Sequence, residues 1–219
     1  KERIRFTIDY TEVTRYLDDC DAVFMCIQTP EIGETGESNL AYYNAAAEQL
    51  AKALEARNSG EQSKYIVIIN KSTVPIDMVD QTATIMDGHK VINYGVVSNP
   101  EFLVEGKAIQ GSIKPDRVVV GAWSEKDFEV MRSVYQRFYV APTVEYIEVN
   151  PREAAAGKLL ANFYLFAKLA LCFDVIGRTS EAFSDVSFEN VRKILISESR
   201  IGNWGFYDSL YAGGSCFIK

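Results

Sequence analysis

Near the end of this sequence Cys216 follows Gly213-Gly214, and Lys219 lies three residues beyond it. Two glycines permit close backbone approach, and a nearby cation lowers a thiol's pKa and raises its thiolate fraction. That suits a nucleophile; the plainer fate of a free cysteine is a small buried hydrophobe. Lys158 and Asn162 stand four apart among Leu159, Leu160, Phe163 and Phe166. On a helix they share a face, and there they need partners or water, unless the lysine snorkels. Glu101 and Glu105 have the same spacing in "NPEFLVEG", where two carboxylates can divide acid and base roles or form a solvated acidic turn. Ser72 and Thr73 in "NKSTVP", and more weakly Thr29-Pro30 in "QTPEIG", offer hydroxyls for a ligand; for Ser72-Thr73 the alternative is capping of the next helix.

These residues need elements to position them. "RIRFTI" (3–8), "DAVFMCI" (21–27), "YIVIIN" (65–70), "VINYGVVSNP", "DRVVVGA" and "VEYIEV" read as strands. Between them "YTEVTRYLDD", "NLAYYNAAAEQLAKALEARN", "IDMVDQTATIM" and "SEKDFEVMRSVYQRF" read as helices, the last opening on a capping-box pattern at Ser124. Strands alternating with helices predict an α/β, mainly parallel sheet, whose ligands sit beyond the strand carboxyl ends. "QTPEIG", "NKSTVP" and "SNPEFLVEG" lie at those ends. From Asn150 the pattern becomes helical, with Asn150 as N-cap, Pro151 in the first turn, and a run to about Gly177, followed by "FENVRKILISES". The expected organisation is therefore 1–149 as a sheet domain and 150–219 as an all-α region. No G-x-G-x-x-G turn occurs anywhere in the chain.

The bulk properties narrow the classes. The 219 residues are 47% hydrophobic, enough for a sizeable core. A net charge of −7 without a basic cluster argues against nucleic acid. No uninterrupted run of 18 apolar residues occurs, so no membrane span is expected, and no secretory segment opens the chain. Four scattered cysteines and the single His89 make a poor zinc set; no metal is expected, and the thiols read as reduced and cytoplasmic.

Taken in order, "QTP", "KSTVP", "SNPEFLVEGKAIQ", "KPDRVVVG", "KLLAN", "RIGN" and "GGSCFIK" resemble the UDP-glucose/GDP-mannose dehydrogenase family over essentially the whole chain. The "EG" and "PDR" details favour its UDP-glucose branch over the GDP-mannose and N-acetylhexosamine branches. The resemblance implies a Rossmann-like NAD-binding domain over 1–149, a helical dimerisation domain over 150–219, and two successive NAD-dependent oxidations of a nucleotide sugar C6 alcohol to a carboxylate. It makes Cys216 the nucleophile that forms a thiohemiacetal and then a thioester. Lys158 and Asn162 become its oxyanion partners, Glu101 the general base, and Thr73 a catalytic and nicotinamide-side residue. It assigns Thr29, Pro30, Ser72, Thr73, Glu105 and Lys219 to NAD. To the sugar nucleotide it assigns Glu101, Phe102, Leu103, Glu105, Lys158, Asn162, Arg200, Gly205, Phe206, Tyr207, Asp208, Ser209 and Gly213. It further implies a homodimer through the helical region, with Arg200 offered across the interface, and a role in polysaccharide biosynthesis. The family's glycine-rich first unit and its C-terminal domain are missing from these 219 residues, which alone are expected not to turn over. Tyr211-Ala212 departs from the family pattern, and Asp208 is an acidic residue near where phosphates would pass.

Two other classes remain open on the residues. One is a catalytically silent binding or assembly module that uses the apolar helix. The other is a cysteine hydrolase pairing Cys216 with His89.

Overall fold

The computed structural model describes residues 4–33, 36–57, 63–104, 106–139, 144–203 and 205. They form two compact units, Lys1–Ile32 with Glu37–Lys158, and Leu159–Lys219 with Gly33–Gly36.

The first unit is an α/β layer structure built on five strands in chain order: β1 (Ala22–Met25), β2 (Ile66–Asn70), β3 (Tyr94–Ser98), β4 (Arg117–Gly121) and β5 (Glu145–Val149). Every residue of β2 is buried, as a strand covered on both faces must be. Its alternation divides two cores. Ile66 and Ile68 join Leu50, Leu54, Met78 and Met86, whereas Val67 and Ile69 join Val97, Val120 and Met131. Helix α2 (Ala41–Arg57) buries Tyr43, Ala47, Leu50 and Leu54 at the spacing the sequence predicts. The hydroxyl of Tyr43 bonds to Asn70 Oδ1 and to Thr82 Oγ1, tying α2 to β2 and to α3 (Met78–Gly88). Helix α5 (Glu125–Tyr135) begins where expected, with Ser124 Oγ accepting from Asp127 N at 3.2 Å.

Strands β1, β2 and β3 are parallel, as are β4 and β5. β3 and β4 instead meet antiparallel, at the single pair Ser98↔Gly121. This tip-to-tip meeting decides where the long helix starts. β4 runs back from beyond the carboxyl end of β3, so its own last residue, Gly121, lies level with Ser98. A Cβ on Gly121 would fall 2.7 Å from Ala154 Cβ and 2.7 Å from Pro151 Cα. Glycine here lets α6 (Pro151–Ala170) begin against the carboxyl edge of the sheet. The start is capped reciprocally: Glu153 N donates to Asn150 Oδ1 and Asn150 N to Glu153 Oε2, both at 2.9 Å. Arg152 pairs with Asp80 at 2.8 Å, fastening the first turn to α3.

One expected strand is absent. Residues 4–8 take no strand conformation, and Ile4, Phe6 and Ile8 alternate but are all exposed. They pair with no described strand, and an apolar alternation without hydrogen-bonded pairing makes no ladder. Helix α1 (Tyr10–Tyr16) follows as expected, capped by Asp9.

In the second unit α6 continues through a π-helical turn (Leu171–Ile176) into α7 (Gly177–Ala182), five residues beyond the expected end. Helix α8 (Phe188–Ile196) packs back on that turn: Cys172 and Ile176 are buried against Phe188, Val191 and Leu195. Leu160, Phe163, Tyr164, Leu171 and Val175 remain exposed. The stretch Pro151–Ala182 is long and apolar enough to cross a membrane by length and composition. The criterion of an uninterrupted apolar run passed over it because isolated polar residues, such as Asn162 and Lys168, break the run without making the helix polar.

Gly121→Ala should cost about 1–3 kcal/mol in urea unfolding, since the new methyl must displace backbone and a packed alanine; the same change at Gly88, where nothing lies within 4 Å, should cost far less. A second expectation concerns His89, the cap of α3, held by Glu48 at 2.6 Å and Glu55 at 3.3 Å. Those carboxylates raise its pKa above 6.5. The clamp's contribution is thus complete at lower pH and fades as pH rises through the raised value. Thermal unfolding of wild type and His89→Gln should therefore differ most below pH 6.5 and converge in alkaline buffer.

Candidate active site

The carboxyl ends of β1 and β2 are clasped together. Ser72 Oγ accepts from Ile27 N at 2.8 Å and donates to Ile27 O at 2.6 Å, while Thr29 Oγ1 donates to Thr73 O at 2.9 Å. Ser72 therefore does not cap α3; it locks the loop after β2 to the loop after β1. Thr29 is buried and Pro30 beside it is exposed. The half-buried Thr73 presents its own hydroxyl at the same edge.

Next to this clasp the segment leaving β3 turns sharply. Asn99 N donates to Asn70 O at 2.9 Å and Asn99 Nδ2 to Val119 O at 2.7 Å, so one residue bridges β2 and β4. Its Oδ1 accepts from Lys71 Nζ at 3.1 Å and from the Tyr135 hydroxyl. Glu101 follows, with one carboxylate oxygen accepting from Leu103 N and the other lying 3.3 Å from Lys158 Nζ. Lys158 is only 4% exposed. It does not snorkel; its ammonium is buried beside Glu101 and lies 5.3 Å from the centre of the Phe102 ring, which Arg117 covers at 3.9 Å. Val104 is exposed on the turn that follows. A cleft of about 420 Å³ opens here, lined among others by Lys71, Asn99, Glu101, Phe102, Arg117 and Tyr135.

A buried ammonium is tolerable only when paired, and Glu101 supplies the pairing charge. The arrangement combines a desolvated cation, a carboxylate able to take a proton, and a cleft beyond the ends of parallel strands. Burial pushes the Lys71 amine down to about 8, against the opposing pull of Glu101 and Cys26. The sequence reading missed Lys71, Asn99 and Tyr135. The available signal was a lysine just past the apolar run 65–69, at the end of a strand that reads as covered on both faces.

The structure thus brings together Glu101, Phe102, Leu103 and Lys158, and separately Thr29, Ser72 and Thr73. In the second unit Asn162 is half-buried one helical turn beyond Lys158 in α6. Arg200 is exposed and paired with Glu198 at 3.0 Å, and Gly205 is buried near Lys168 with a φ of +90°. Glu105, Phe206, Tyr207, Asp208, Ser209, Tyr211, Ala212, Gly213, Cys216 and Lys219 lie outside the described residues. His89 is held between Glu48 and Glu55, so a hydrolase dyad would have to break that clamp. Among the described residues no cluster suits a metal ion, and Cys20, Cys26 and Cys172 are free thiols.

A mainly parallel sheet with helices on both faces and polar loops gathered at its carboxyl edge defines the dinucleotide-binding class of α/β domain. Residues 1–139 match the NAD binding domain of the UDP-glucose/GDP-mannose dehydrogenase family, and the chain belongs to that family. It is 32% identical over 222 residues to UDP-glucose 6-dehydrogenase of Pseudomonas aeruginosa, covering 99% of this chain and 46% of that protein. To UDP-glucose 6-dehydrogenase TuaD of Bacillus subtilis it is 33% identical over 220 residues, covering 100% of this chain and 44% of that one. A solved UDP-glucose dehydrogenase from Pyrobaculum islandicum superposes with a TM-score of 0.84 at 28% identity, over 98% of this chain and 47% of that one. The chain thus spans less than half the length of these relatives. For NAD, the cofactor of the matched domain, the residues fit in part. Hydroxyls and backbone amides at the clasped loops suit a nicotinamide and its ribose, while the chain holds no glycine-rich turn for a pyrophosphate.

Lys158→Met and Glu101→Gln should not be additive: in a double-mutant cycle by urea unfolding the pair should show about 1–3 kcal/mol of coupling. Additive costs would mean that the ion pair contributes nothing to the fold.

Proposed function

We propose that this chain supplies the cofactor edge and part of the catalytic machinery of an enzyme oxidising the C6 alcohol of a nucleotide sugar, UDP-glucose above all, to the carboxylate. The buried Lys158–Glu101 pair at the carboxyl edge of the sheet carries this reading, and the names of the relatives support the sugar. We take 1–149 as the NAD-binding domain and 150–219 as the helical domain. NAD, held through Thr29, Pro30, Ser72, Thr73, Glu105 and Lys219, supplies the two-electron acceptor that takes alcohol to aldehyde and the cysteine adduct to a thioester.

The chain's own residues do the rest. The Cys216 thiolate adds to the C6 aldehyde; a carbon–sulfur bond forms and the carbonyl electron pair moves onto oxygen. Lys158, with Asn162 as a second donor, neutralises that oxyanion, and an ammonium already out of water does so without solvent rearrangement. In thioester cleavage Glu101 takes a proton from water as its oxygen attacks the carbonyl carbon. The carbon–sulfur bond then breaks and Cys216 departs as thiolate. Phe102 and Leu103 floor the sugar site. Glu105, Arg200 and the loop from Gly205 through Phe206, Tyr207, Asp208 and Ser209, with Gly213, complete it.

Two copies meet through the exposed apolar side of the second unit, which contains Leu160, Phe163 and Tyr164. A second copy of the chain is the cover that the family resemblance implies. The reducing cytoplasm suits its free thiols.

The protein bearing this chain, given UDP-glucose and NAD, should reduce two NAD per sugar, followed by nicotinamide absorbance. Glu101→Gln should slow turnover about 10²–10⁴-fold and accumulate an acyl adduct on Cys216, visible by mass spectrometry. Turnover that survives Cys216→Ala, or no NAD reduction with any nucleotide sugar, would overturn the proposal.

A further inference from the structure

We propose that Lys71 is a positioning residue of this site. It holds the Asn99–Glu101 turn through Asn99 and lends the Glu101 carboxylate a second positive charge beside that of Lys158.

The geometry comes first. Lys71 follows β2 immediately, and its backbone N donates to Met25 O at 3.1 Å, so its Cα is fixed between two strands. Its ammonium reaches Asn99 Oδ1 at 3.1 Å. That oxygen also accepts the Tyr135 hydroxyl from α5, and the same amide donates to Val119 O. Asn99 is fully buried, so each of these bonds replaces water that cannot enter. Four elements thus converge on one amide two residues before Glu101. Without the ammonium, Asn99 Oδ1 keeps only Tyr135, and the turn that aims Glu101 at Lys158 is held to the end of β2 by the backbone bond from Asn99 N to Asn70 O alone.

The charges then follow. The groups acting on the Lys71 amine are Glu101 on the segment after β3, Cys26 after β1 and Lys158 on α6; Tyr135 reaches it only through Asn99. Glu101 and Cys26 favour its charged form, whereas Lys158 and burial oppose it. Coupling between two charges is mutual, so whatever Glu101 does for Lys71, Lys71 does for Glu101. Glu101 is therefore the shared counter-ion of two lysines, one in direct contact and one acting through a buried amide. The consequence for turnover rests on the general-base reading of Glu101 given above; the coupling itself does not.

Two measurements separate these parts. In the protein bearing this chain, labelled at lysine Cε, the resonance lost in Lys71→Met should titrate in wild type with a midpoint near 8. In Glu101→Gln that midpoint should move to lower pH, because an opposing charge that favoured the ammonium has gone. An ordinary lysine midpoint, or one that Glu101→Gln leaves in place, would overturn the proposal whether or not the protein turns over. In steady-state kinetics Lys71→Met should lower kcat about 10-fold or more with little change in the KM for NAD. Lys71→Arg, which keeps the charge, should restore kcat. A kcat unmoved by Lys71→Met, or not restored by arginine in a folded variant, would sink the positioning role. A wild type without turnover would instead fell the functional reading and leave the titration to decide on Lys71.

Discussion

A lysine ammonium withdrawn from water is the constraint around which the site is arranged. Lys158 sits with its side chain almost wholly covered, a state whose cost rises to several kcal/mol for an unpaired ion. The fold answers with a carboxylate, an aromatic ring and a helix start that cannot shift. Glu101 is brought to 3.3 Å by a turn whose own carboxylate is fixed by the Leu103 amide. Phe102 turns a ring toward the ammonium and is itself capped by Arg117. The missing Cβ at Gly121 and the reciprocal cap at Asn150 determine where α6 begins, and so how deep residue 158 lies. Packing remote from the pair thereby fixes the separation of its two charges.

The sheet supplies a second constraint. Its parallel strands end in loops whose polar groups bond mainly to one another: Ser72 to Ile27, Thr29 to Thr73, Asn99 to Asn70 and Val119. Such cross-loop bonds make a rigid rim, which a dinucleotide site requires because bound cofactor must be held without reorganising its walls. Several side chains that a motif reading assigns to ligand binding thus also hold the rim in shape.

Much of this was legible in the residues. Buried strands announce themselves as unbroken apolar runs, as in "YIVII" (65–69), and the face of α2 follows helical spacing. Capping at Ser124 and Asn150 could be read because it depends on neighbours three residues apart. What escaped depends on distant residues. Residues 4–8 have a strand's alternation but pair with no described strand, and alternation says nothing about partners. The burial of Lys158 could not be told from snorkelling, since the residue that pairs with it lies in another segment. Lys71 was passed over because the hydroxyls beside it drew attention, and the amide it bonds belongs to a different strand's end. For the second unit, sequence periodicity located the long helix and missed its π-helical turn, which widens one turn by a residue to fit Cys172 and Ile176 under α8.

The tip-to-tip meeting of β3 and β4 has an evolutionary corollary. In an ordinary right-handed crossover the link between adjacent strands must travel the length of the sheet and cover a core, so its length and composition are tied to packing. Here residues 99–116 leave and re-enter at the same rim. Past the turn that brings Glu101 to Lys158, residues 106–116 supply no buried member of either hydrophobic core, which frees that stretch to lengthen, shorten or change polarity. Divergence in what such proteins recognise can accumulate in that one excursion at little expense to the scaffold.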